Sequence, residues 1–200
     1  MENKTAEQKQ QQFEEFFSIA HQTECNFVPF DNPLQGQSSE QFEHAMPYPF
    51  KVASELSSLD AQALRPLRNL SEHATQLVDY LELQARKIDL IMAMILRQQD
   101  NPAHHYCGIK FGGGGVIIRS DKPMDVGIHG ELKIFIKEEA AAIYSFAEVI
   151  NCQREQDEYL ITLIFDQIHE RDQELLVRAS LHMQTQQLKA RAAERKSTTD

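Results

Sequence analysis

Gly112-Gly113-Gly114-Gly115-Val116-Ile117-Ile118-Arg119-Ser120 is the stretch on which the fold turns. Four consecutive glycines are costly to order unless the backbone must bend tightly or let another segment approach closely. The runs on either side, His105 to Phe111 and Val116 to Ser120, are rich in β-branched and aromatic residues, so the glycines are expected to join two strands. A phosphate-cradling loop is the functional alternative. The run lacks the Gly-Lys-Ser/Thr ending of a P-loop, Ile118 stands where the third glycine of a dinucleotide fingerprint would fall, and a strand follows where a helix N-terminus would hold an anion. As a conventional nucleotide loop it fails.

Toward the C-terminus the same texture continues. Glu131 to Lys137, Ile143 to Cys152 and Tyr159 to Phe165 are further short runs of Ile, Val, Phe and Tyr set between Gly, Asp and Asn, and five strands at this spacing predict a small antiparallel barrel. Polar and apolar residues alternate across much of Glu131 to Lys137, as where one sheet face is wet. Residues 169–196 are expected to be helical, with Leu175, Leu176, Ala179, Leu181, Met183 and Leu188 giving an apolar side whose first half caps the barrel. Residues 197–200 form a tail.

Toward the N-terminus the pattern changes period. Leu70, Ala74, Leu77, Leu81, Gln84, Ile88, Ile91 and Ile95 alternate steps of four and three, the spacing that keeps one seam facing a partner helix. Gln84 is the polar member, and burying its amide between helices would favour one register. Val78, Tyr80, Leu83, Leu90, Met92, Met94 and Leu96 widen the apolar surface, which suits more than two helices. Packing within the monomer and a seam between copies both satisfy the pattern. The helical segment is expected over 52–98, with a break at Pro66 and an end before Asn101-Pro102. Residues 32–51 are turn-rich and read as a linker. Residues 1–12 are glutamine-rich and expected to be flexible; Phe13, Phe16, Phe17 and Ala20 then recur at helical spacing, and Cys25 to Phe30 is a short extended run.

Composition bounds the function. Two hundred residues at 42% hydrophobic content suffice for one domain with an appendage. No apolar run approaches a membrane span and no signal-peptide core follows the first residues, so a cytoplasmic location without membrane insertion is expected. Three widely spaced cysteines fit a reducing compartment. A net charge of -10 works against nucleic-acid binding and repels a phosphate-bearing ligand unless cations gather locally. His104-His105-Tyr106-Cys107 offers metal ligands, but adjacent histidines on a strand face opposite ways; surface histidines and a buried Cys107 are expected, with no metal. Nothing brings Cys152 together with His129 or His169, and Glu138-Glu139 and Asp157-Glu158 fall in turns, so no enzyme is predicted.

Gly112 to Ser120, followed by Lys122-Pro123-Met124-Asp125-Val126-Gly127, resembles the second half of a PilZ domain, the bacterial receptor module for cyclic di-GMP. Ala147-Glu148-Val149-Ile150 looks like the family's later strand, Ile161 to Phe165 like its closing strand, and Arg171-Asp172-Gln173-Glu174-Leu175 like the start of the helix after it. Phe16-Phe17-Ser18-Ile19 and Phe27-Val28-Pro29-Phe30 are similar to the lead-in and first strand in a subgroup that inserts a long heptad helix before the glycine turn. The resemblance implies an α+β fold: a small antiparallel PilZ-like barrel, discontinuous over 13–31 and 103–168, with an inserted heptad helix and a C-terminal helix. It also implies assembly, since helix-bearing relatives form tetramers.

The ligand residues depart from the family's pattern. The Arg-x-x-x-Arg pair that holds guanine and phosphate corresponds to Glu14 and Ser18, and the Asp/Asn-x-Ser-x-x-Gly turn corresponds to Lys110, Gly112 and Gly115, so only the last glycine is kept. Arg191 and Arg195 repeat the arginine spacing at the wrong end of the chain. An acid and a hydroxyl in place of two guanidinium groups remove the cations a dianionic ligand requires. Lys110 and Arg119 are the available substitutes. The expectation is a noncatalytic adaptor in cyclic di-GMP-linked signalling, without a cofactor, binding that nucleotide weakly or not at all. It would self-associate as a dimer to tetramer and contact signalling or motility proteins. A receptor with a non-standard site and a structural subunit without nucleotide binding are the alternatives.

Overall fold

The computed structural model describes residues 6–16, 18–32, 38–53, 55–56, 72–98 and 102–197. Leu70, Pro66 and most of the expected 52–71 helical lead-in lie outside them. Helix α1 (Ala6–Glu15) leads into strand β1 (Ser18–Pro29); α2 (Ser39–Ala45) and a helical turn at 48–53 precede the long α3 (Glu72–Gln98). Then follow β2 (His105–Gly112), β3 (Gly115–Ser120), β4 (His129–Ile136), β5 (Ala141–Glu155), β6 (Glu158–Ile168) and α4 (Glu170–Ser197). The strands close into an antiparallel barrel in the order β1-β2-β3-β6-β5-β4. This is the α+β barrel, inserted helix and C-terminal helix that the resemblance implies.

Alternation fills the barrel. Phe27, Phe111, Val116, Ile118, Leu132, Ile134, Val149, Ile161 and Leu163 are all fully buried inside it, each stabilising by roughly 1.5–3 kcal/mol. Leu176, Ala179 and Met183 from the first half of α4 join the same core and close the barrel, as expected.

A second core lies outside the barrel wall. Tyr144 and Phe146 of β5 and Phe135 of β4 meet Phe42 and Met46 from the α2 region, Phe50 from the helical turn and Leu96 from the end of α3. The Phe146 ring stands edge-on to Phe30 at 4.9 Å and to Phe42 at 5.1 Å, while Phe42 stacks on Tyr144 at 5.6 Å, geometries in which ring quadrupoles attract. The inserted segment is therefore rooted on the barrel by aromatic packing at 42–50 and by Leu96. The stretch expected to be a linker carries much of this cover.

Three local expectations change. The helical spacing of Phe13, Phe16, Phe17 and Ala20 spans a junction: the helix ends at Glu15, and from Ser18 the chain is a twelve-residue strand. Pairing with β2 overrides local periodicity there, and β4 joins on the other side from Glu24. Residues 6–12, expected to be flexible, belong to α1, which Phe13 anchors at 5% exposure. Cys107 is exposed rather than buried, since β2 turns Gly108 and Phe111 inward and Cys107 outward; Cys25 is the buried cysteine, and burial pushes its thiol pKa up.

The heptad helix has one side toward the barrel and one side away from it. Val78 and Leu96 are buried and Ala85, Asp89, Met92 and Ala93 half-buried, while Leu77, Ile88, Ile91 and Ile95 of the expected seam are exposed, Ile91 at 59%. Leu81 and Gln84 lie half-buried at the border; Ala74 is on the helix, its surroundings outside the described residues. Arg86 donates to the Glu138 carbonyl at 2.9 Å and Arg97 pairs with Glu24 at 2.7 Å, fixing the inner side toward the barrel.

Truncating Phe146 to Ala is expected to destabilise the fold by about 3–5 kcal/mol. Urea denaturation followed by circular dichroism measures it.

Candidate functional site

The face on which the sequence places the ligand residues is built from outward-pointing side chains of four strands. Lys110 of β2, Ile117 of β3, Asn151 and Gln153 of β5, and Leu160 and Thr162 of β6 form its floor. Helix α1 lies across it with Gln10, Phe13 and Glu14, leaving a cavity of about 200 Å³. That is below the roughly 300–1,000 Å³ of cavities that enclose drug-sized ligands. Glu14 and Lys110, which the family resemblance places at two separate ligand motifs, thus line one cavity. Their charges oppose each other, and the Gln10 side-chain amide donates to Glu14 at 2.7 Å. A dianion would meet one cation and one acid, with Phe13 in its path.

The glycine turn lies at the end of this face. Ser18 is the cross-strand partner of Gly112, and Gly112 that of Gly115, so three further sequence-selected residues are neighbours. The turn's contacts, however, are with its own chain. A Cβ on Gly113 would come within 2.6 Å of both the Phe16 ring and Val177, and one on Gly115 would run into the Leu163 carbonyl of β6. The Gln173 side-chain amide of α4 donates to the Gly113 carbonyl at 2.8 Å, and the Phe165 backbone N–H to the Gly114 carbonyl at 3.2 Å. Gly113 and Gly115 are explained by closure of the barrel under α4. Arg119 does not join the cavity; its guanidinium pairs with Glu158 at 3.1 Å.

A constellation that the sequence reading missed sits beside α1. Glu148 of β5 is directly opposite His129 of β4. On β6 the register slips: Ala147 faces Phe165 and Phe146 faces Gln167, leaving Asp166 as the extra residue of a bulge, a device that re-aims a side chain. His129 Nδ1 and Asp166 Oδ2 are 2.6 Å apart, and that hydrogen bond, against burial, raises the imidazole pKa. From α1, the Lys9 ammonium donates to both oxygens of the buried Glu148 carboxylate at 2.6 Å. No linear spacing signals this group, because strand closure and a bulge assemble it. His129 is held by Asp166 and His169 by Glu43, while Cys152 packs against the barrel core.

A second concavity, about 430 Å³, lies between the last turns of α3, the start of α4 and the β4–β5 turn. Aliphatic and charged side chains mix along it, Asp172 among them, whose carboxyl pKa burial raises. Among the described residues no helix is long and apolar enough to cross a membrane.

No family model matches this chain, and no curated protein matches it. Solved structures do. A pathogenic protein from Xanthomonas campestris, a tetrameric PilZ domain self-assembled via an unusual helical bundle, superposes over 90% of this chain and 96% of its own with a TM-score of 0.53 at 14% identity. The Bacillus subtilis inhibitor of motility matches 41% of this chain and 42% of its own, with a TM-score of 0.38 at 20% identity. The fold is that of a PilZ domain carrying a long inserted helix.

Gly113→Ala tests the packing account of the turn. It is expected to destabilise the protein by about 1–3 kcal/mol with no ligand present, measured by thermal or urea unfolding.

Proposed function

We propose that the protein is a noncatalytic PilZ-like adaptor that assembles with copies of itself through α3. The observation carrying this reading is the two-sided character of that helix. One side is tied to the barrel, while Leu77, Tyr80, Ile88, Ile91, Met94 and Ile95 remain exposed on the other, a concentration of apolar surface that monomers rarely present to water. A partner helix of the same kind would bury it with heptad spacing, as a dimer or a tetramer. The Xanthomonas campestris protein, self-assembled via a helical bundle, offers a precedent on the same fold.

The signalling context follows from the family resemblance: cyclic di-GMP-linked control of motility or surface attachment, in the cytoplasm, exercised by contact with other proteins. Conventional binding of the nucleotide is disfavoured by Glu14 and Ser18 at the arginine positions and by α1 across the face. Calorimetric titration with cyclic di-GMP at low and moderate salt is expected to be flat. Saturable micromolar binding would overturn this part and make the protein a receptor through Lys110 and its neighbours.

For assembly, Ile88→Glu combined with Ile91→Glu places charge on exposed positions and is expected to yield monomers with unchanged far-ultraviolet circular dichroism, read by light scattering. An unchanged mass would refute the intermolecular seam.

A further inference from the structure

We propose that His129, Glu148 and Asp166 form a binding site for zinc, from which the Lys9 ammonium withdraws when the metal enters. One donor atom from each of the three residues lies within 4.8 Å of the others. An imidazole nitrogen with two carboxylate oxygens is a donor set that zinc accepts, with water completing four-coordination. Zinc at about 2.0–2.2 Å from each donor would hold the donors roughly 3.3–3.6 Å apart, so the His129–Asp166 contact opens from 2.6 Å while the wider separations close by an ångström or so.

The framework is rigid. His129 and Glu148 face each other across paired strands, and the β6 bulge delivers Asp166 to the same patch. The Glu148 side chain is only 7% exposed, so its carboxylate depends on a nearby cation. Lys9 is that cation here, placed symmetrically on both Glu148 oxygens at 2.6 Å. A divalent ion would offset both carboxylates at once, with neutral His129 as third ligand once the proton shared between its Nδ1 and Asp166 is released to solvent, whereas the single charge of Lys9 is directed at Glu148 alone.

Exchange of one cation for the other has a mechanical consequence. Lys9 sits one helical turn before Phe13, the residue through which α1 closes the neighbouring cavity. Zinc entry removes the ionic tether between α1 and β5 and loosens the helix over that face. The inference is independent of whether a nucleotide binds there.

The test is calorimetric titration of the chelator-treated 200-residue chain with zinc chloride alone, with magnesium chloride as a separate control. One zinc per chain is expected, with no response to magnesium. Asp166→Asn and His129→Ala are each expected to weaken binding at least about tenfold, and Lys9→Met to tighten it by a similar factor. The chain contains no tryptophan, so a Phe13→Trp variant carries a single reporter on α1. Its emission should shift on zinc addition, revert with chelator, and stay constant when His129→Ala is added. This reporter keeps the proposal testable if Lys9→Met fails to fold. Absence of zinc binding, or binding unchanged by His129→Ala and Asp166→Asn, would overturn the site. Zinc binding without a change in Phe13→Trp emission would overturn the withdrawal of Lys9.

Discussion

The first half of strand β5 cannot face water on either side. Seven consecutive residues, Ile143 to Val149, are buried, so this part of the strand is enclosed by the barrel within and must be covered from without. The outer cover comes in two parts. Tyr144 and Phe146 are roofed by Phe42, Phe50 and Leu96, and Glu148 is met by Lys9 of α1. Much of the chain outside the barrel is disposed by that requirement. The helical insertion has a fixed root because aromatic surface on β5 needs it, and α1 lies where it does because a buried carboxylate needs a cation.

Once Leu96, Arg86 and Arg97 fix one side of α3 to the barrel, the other side follows from helical geometry. Residues at 77, 80, 88, 91, 94 and 95 are turned away and stay apolar. The same economy of contacts operates at the glycine turn. Bare backbone there admits Phe16, Val177 and the Leu163 carbonyl, and Gln173 of α4 takes up the Gly113 carbonyl. A turn that could present polar groups to a nucleotide is instead engaged by its own chain.

How far the sequence discloses this depends on the range of the interaction. The glycine turn and the strands after Pro102 were legible because β-branched runs and turn residues alternate within a few positions. The capping of the barrel by Leu176, Ala179 and Met183 was legible because these residues recur at helical spacing. The second half of strand β1 was legible as the extended run from Cys25, but its first half was not, because it owes its conformation to β2, over eighty residues away, while the aromatics before it happen to recur at helical spacing. Glu14 and Lys110 share a cavity and Ser18 adjoins Gly112, although nothing local in the chain joins them. Arg119 is engaged elsewhere, by Glu158. The Lys9–Glu148–His129–Asp166 group lay beyond reach, since it needs α1, two strand pairings and a one-residue slip to exist at all.

The central claim is that the exposed side of α3 is a surface between copies. Sedimentation equilibrium of the unmodified chain over a wide concentration range tests it most directly. A particle mass that is a whole multiple of 23.0 kDa, two to four copies, is the predicted result. A single species of 23.0 kDa throughout would contradict the account and leave the apolar side of α3 to a different protein.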